Sequence, residues 1–202
     1  VGAVFNNSGT VNVNSGVLKL QGSGNHTGDF TIATGSVLEF DIPVASDVHS
    51  LDGVTFGGNG TVQFTQGRMK TTGAGATVNS GVTLFMSESN YLYLEGDGPM
   101  TVNGVFEWRN GMIRGSGDFI VNGVLNISGS KGKGLSEERT LINKGTVTWT
   151  GGDIGITSDA VFENQAGGIF DIQTDGVRVT GITGRFNNAG AVTKRVGNGV
   201  TT

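Results

Sequence analysis

The chain has 202 residues, a net charge of −4, 37 glycines, two prolines and no cysteine. That length suits one substantial domain, and the lack of cysteine excludes disulfide staples, thiolate metal sites and a cysteine nucleophile. Weak, evenly mixed charge gives no basis for nucleic acid or an anionic membrane as partner, and no run of 18 apolar residues is present to span a bilayer.

Glycine without proline is neither collagen-like nor a disordered Pro/Gly tract. Here it recurs ahead of short apolar-x-apolar stretches, which directs attention to internal repeats. In chain order these anchors are Gly9–Val13, Gly35–Phe40, Gly60–Phe64, Gly81–Phe85, Gly104–Trp108, Gly123–Ile127, Gly145–Trp149, Gly168–Ile172 and Gly190–Lys194. A strand is predicted before the anchor at Val4–Asn6, Phe30–Ile32, Val54–Phe56, Leu141–Ile142 and Val161–Phe162. Another follows it at Val17–Leu20, Arg68–Lys70, Tyr91–Leu94, Met112–Arg114, Ile154–Ile156 and Val177–Val179. Three short strands per coil, joined by Gly-rich turns, predict an all-β, right-handed parallel β-helix of about nine coils, one solenoid over residues 1–202. Only Leu135–Arg139 reads as a helical turn. The pattern starts at Val4 and stops mid-coil at Thr202 without a covering element. This leads us to expect a segment of a longer repeat protein, with neighbouring coils as partners and end-to-end self-association.

Stacked coils turn recurring letters into columns. Asparagine precedes the anchor glycine at Asn7, Asn59, Asn79, Asn103, Asn122, Asn143, Asn164 and Asn188. Asn tolerates the left-handed conformation of a tight corner and can hydrogen-bond along the stack, so an asparagine ladder is expected. The last anchor position holds Phe40, Phe64, Phe85, Trp108 and Trp149, which predicts an inward aromatic ladder with rings offset on their neighbours above and below. Lys194 interrupts that row in the last coil.

Catalytic chemistry finds little footing. His49 sits in Asp47-Val48-His49-Ser50-Leu51-Asp52 and His26 in a Gly-flanked turn, and both read as surface loop residues. Lys131-Gly132-Lys133-Gly134 lacks phosphate-loop spacing and reads as a solvated insertion. The outward carboxylates Glu39, Glu107 and Asp171 stand apart, whereas glycoside hydrolysis needs a pair. No catalytic residue, metal or cofactor is therefore expected.

One face is less bland. With Leu18, Leu20, Met69, Leu92, Leu94, Val177 and Val179 inward, the strand after the anchor exposes Lys19, Arg68, Lys70, Tyr91, Tyr93, Arg114 and Arg178. Cations around a tyrosine pair suit an acidic or neutral glycan, held by stacking and hydrogen bonds. Solubility and edge protection account for the same residues.

Stretches such as Phe5-Asn6-Asn7-Ser8-Gly9-Thr10-Val11, Gly16-Val17-Leu18-Lys19-Leu20 and Phe186-Asn187-Asn188-Ala189-Gly190 resemble the β-strand repeats of large bacterial surface and secreted proteins. Filamentous-haemagglutinin-like and autotransporter-type adhesins share this repeat style, and the resemblance covers the whole chain. It implies an extracellular or cell-surface structural or adhesive module without catalysis. A polysaccharide-binding or polysaccharide-degrading β-helix is the alternative.

Overall fold

The computed structural model describes residues 2–89 and 91–202. Most strands are short, with side chains alternating between buried and more exposed positions, as expected for sheets with one dry face. Among the described residues the strands pair only in parallel, each with its equivalents in the adjoining coils, and form a β-solenoid with no helix.

Three sheets run the length of the rod. Sheet I has nine strands, from Thr10–Val13 to Arg185–Asn188. Sheet II begins at Val17–Leu20 and ends at Ala191–Lys194, and sheet III begins at Gly24–His26 and ends at Val179–Thr180. One strand, Thr61–Thr71, runs uninterrupted through a corner and belongs to both sheets II and III. At about 4.8 Å per coil the stack is roughly 40 Å long.

The core is a shaft of matched columns. Sheet II contributes Leu38, Val62, Leu84, Phe106, Leu125 and Val147, all buried and in register. Sheet III contributes His49, Met69, Leu94, Ile113, Leu135 and Ile156. A single coil cannot close a core against its own chain entropy, so stability comes from the array.

The register corrects several expectations. Gly9–Val13 is not an anchor: Val11 pairs with Phe30 in sheet I, and the sheet II strand of the first coil is Val17–Leu20, with Leu18 opposite Leu38. Lys19 therefore stands opposite Glu39 on sheet II, away from the sheet that carries Arg68 and Tyr93. Phe85 points outward opposite Gln63 and Glu107, because one extra corner residue shifts its strand, and Met86 fills the inward place between Phe64 and Trp108. Leu135–Arg139 is no helical turn; Lys133–Ser136 is a strand, and Glu137 and Glu138 turn the chain with φ of 60° and 63°. Lys194 keeps its pairing with Ile172, and its ammonium lies 2.5 Å from Asp175.

Phe40, Phe64, Trp108 and Trp149 are buried. Their ring contacts run across the shaft more than along it: Phe40 meets Phe56 of sheet I at 6.4 Å and His49 of sheet III at 4.9 Å, both edge-on. The asparagines divide between two adjacent columns. Asn103 accepts from Asn122 at 2.8 Å on the outer one. On the inner one Asn143 donates to Asn164, and Asn164 to Asn188, each at 2.7 Å. Asn79 shares the outer column through the pairing of Val78 with Val102. Asn7 and Asn59 lie outside both: Asn7 bridges to His26 on the sheet III side, and Asn59 follows Gly58, which pairs with Ile32.

Candidate functional site: a grooved strip on sheet III

The outward residues of sheet III are set by the ladder. Arg68, Tyr93 and Met112 form one column, and Lys70, Glu95 and Arg114 the next. Glu95 is buried between two guanidinium groups. Arg68 donates to its Oε1 through Nε at 2.9 Å and Nη2 at 2.5 Å, and Arg114 to its Oε2 through Nε at 2.8 Å and Nη2 at 2.6 Å. Arg114 Nη1 also donates to Glu137 at 3.3 Å, and its guanidinium covers the Tyr93 ring at 4.4 Å. Paired charge and a covered ring make a rigid, nearly neutral floor.

Tyr91 is built differently. Its side chain is 73% exposed and its φ is +64°, in the left-handed region that bulky residues rarely enter. Opposite it, residues 42–48 link Val37–Asp41 to His49–Leu51 as an insertion that the neighbouring coil does without, its chain passing straight through the same corner as Thr61–Thr71. Ile42, Pro43 and Ala45 of that insertion face Tyr91 and Tyr93 across a groove of about 410 Å³, with Arg68 at its edge. A second groove, about 360 Å³, lies on the other side of the tyrosines over Asn110, Met112 and Gly134. A third, about 350 Å³, runs over Lys70, Glu95, Asp97, Arg114 and Glu137. The three adjoin through Tyr91, Tyr93 and Arg68.

Five of the seven residues singled out for this face come together: Arg68, Lys70, Tyr91, Tyr93 and Arg114. Lys19 does not, since it sits on sheet II, 3.0 Å from Glu39 and 3.4 Å from Asp41. Both carboxylates hold its ammonium above the ordinary lysine range, Glu39 foremost. Arg178 lies several coils away toward the end of sheet III, 3.3 Å from Asp153. Sequence reasoning missed Glu95, Glu137 and the insertion. The signal for Glu95 was its place two residues after Tyr93 on a strand with cations in the flanking coils.

Four basic groups are buried, three of them against expectation. His26 and His49 are not loop residues but lie inside the rod, and burial pushes both down to about 4, with the neighbouring His26 adding to the effect on His49. Lys133 is not in a solvated insertion: its Nζ donates to the carbonyls of Lys131 and Gly151 at 2.9 Å each, and burial lowers it to about 8. Arg139 is fully enclosed, donating through Nη1 to carbonyls of stacked turns, Gly96 at 3.3 Å and Gly117 more closely. Among the described residues no group of three or more His, Cys, Asp or Glu is placed to hold a metal ion. No family model, curated protein or solved structure matches this chain.

Proposed function

We propose that the protein is a non-catalytic, extracellular rod of a bacterial surface or secreted repeat protein, and that it binds glycans along the sheet III strip. The observation that carries this reading is the clustering of three adjoining grooves around Tyr91, Tyr93 and Arg68, beside the 42–48 insertion that the next coil does without. Recognition on solenoids sits where per-repeat insertions gather on one face, and the packed shaft beneath supplies rigidity.

The degrading alternative rests on Glu95 and Glu137, which converge on Arg114. Both oxygens of Glu95 already accept from arginines and Glu137 is tied to Arg114. Among the described residues this leaves Asp97 as the one carboxylate lining the third groove without an arginine partner, where acid/base hydrolysis uses two. This favours binding without cleavage. The test is retention of the labelled chain on a panel of neutral and acidic polysaccharides, with reducing ends assayed in parallel. Binding that falls in Tyr91→Ala/Tyr93→Ala and persists in Lys19→Ala, with no release of reducing ends, supports the reading. Chain cleavage, or equal loss in the Lys19 control, counts against it.

A further inference from the structure

We infer that Tyr91 is a saddle between two subsites and that its ligand is a neutral, unbranched saccharide lying across it, with a sugar ring in each flanking groove. This rests on the glycan-binding reading above and specifies it.

Tyr91 is the only strongly exposed aromatic ring among the described residues of the strip, since Tyr93 is covered by Arg114. Together with Tyr93 it lines both the first and the second groove, and of the two it is the ring that stands exposed on the ridge between them. The flanking coils round this corner through left-handed glycines, Gly67 at φ +101° and Gly111 at φ +92°, whereas here a tyrosine takes the left-handed conformation, which strains it where glycine would be free. The insertion supplies the facing wall: Ile42, Pro43 and Ala45 offer an apolar side, and Gln66 and Asn110 offer amide groups at either end. An apolar wall, an exposed ring and amides match a sugar, which has a C–H face and a rim of hydroxyls.

Charge decides the class of sugar. No carboxylate lines the first two grooves. The cations that approach them are engaged: Arg68 by Glu95, and Lys133 by backbone carbonyls. In the third groove Arg68, Lys70 and Arg114 face Glu95, Asp97 and Glu137, which balances to zero. An anionic sugar would find no uncommitted positive site across the tyrosines, and a peptide strand would find no free backbone edge, because these strands pair on both sides.

The experiment measures binding of the full chain to neutral glucans, mannans and galactans and to acidic polymers, at low and high salt. Oligosaccharides of increasing length are run alongside. The expected result is preference for a neutral polymer, little change with salt, and a gain in affinity from disaccharide to trisaccharide. Tyr91→Ala is expected to weaken binding about tenfold, with Tyr91→Trp retaining it. Tyr91→Gly separates binding from folding: it relieves the left-handed strain, so unfolding midpoints hold or rise while affinity falls. Preference for acidic polymers with steep salt dependence overturns the neutral saccharide and leaves the strip as a binding face. Binding indifferent to all three Tyr91 variants overturns the saddle. Failure to bind any polymer overturns both this inference and the function it rests on.

Discussion

His26 Nε2 lies 2.7 Å from His49 Nδ1, and the two rings stack within 11° of parallel inside the shaft. Phe30 and Phe40 stand edge-on around them, and both imidazoles are buried, which disfavours the charged form. Both are therefore neutral in the fold, and protonation must await about pH 4, whereas the unfolded chain takes up protons near 6.5. The unfolded state binds more protons across that window. Stability is thus lost as pH falls from about 6.5 toward 4, by up to ~3 kcal/mol per histidine. Urea midpoints at neutral pH and near pH 4.5 are expected to show this fall. Replacing both by leucine, the residue type already at Leu51 beside His26, should flatten it.

Glu95 holds two coils' arginines together across the strip. Glu95→Gln keeps the shape but leaves two guanidinium groups sharing one neutral oxygen. The arginines are partly solvated, at 36% and 25% exposure, so the loss is expected at about 1–3 kcal/mol, below that of a fully buried pair. Urea denaturation measures it. An unchanged midpoint would show that the clamp contributes nothing net.

Trp149 and Phe85 look interchangeable by sequence and are not. Trp149 is 1% exposed and its Nε1 donates to Gly152 at 2.8 Å, whereas Phe85 lies on the outer surface beneath the Arg109 guanidinium at 4.9 Å. Trp149→Ala should destabilise by about 3–5 kcal/mol and Phe85→Ala by less than about 1 kcal/mol. Equal losses in a denaturant titration would contradict the register.

Lys133 offers a test in alkali. Burial lowers its ammonium to about 8, against 10.5 in the unfolded chain. Between those values the unfolded state holds the extra proton, so this residue's contribution rises with pH and is least favourable below about 8. Lys133→Met should remove that slope while leaving the Lys131 and Gly151 carbonyls without their donor, a loss of about 1–3 kcal/mol at neutral pH. Difference titrations of wild type and variant from neutral to alkaline pH separate the two effects.

The parallel coil was legible because glycine corners and alternating apolar residues recur wherever coils stack, as at Gly104–Trp108 and Gly123–Ile127. Register within a coil was not. One added corner residue moves a strand's whole apolar set to the other face, which is what displaced Phe85, and the first coil's repeat was read one sheet too early. The strip was half visible. Tyr91, Tyr93, Arg68 and Arg114 follow from alternation, but the partner that ties the arginines, Glu95, carries the same charge pattern as any solvated surface residue. The buried histidines and Lys133 were hidden for a related reason: polar residues in Gly-rich stretches read as turns until pairing shows them inside.

Thr61–Thr71 touches the strands Val37–Asp41, His49–Leu51, Thr83–Met86 and Leu92–Gly96. It rounds its corner at Gly67, whose φ of +101° and closeness to Ile42, 2.5 Å from where a Cβ would sit, admit no other residue cheaply. Elsewhere each turn can open without disturbing the wall beyond its corner. Here two walls share one unbroken splint. An unravelling front that starts in the acid-sensitive coils around His26 and His49 is expected to halt at this splint, leaving the later coils wound with Arg68, Tyr93 and Arg114 in place, and removing only the Ile42–Ala45 wall of the first groove.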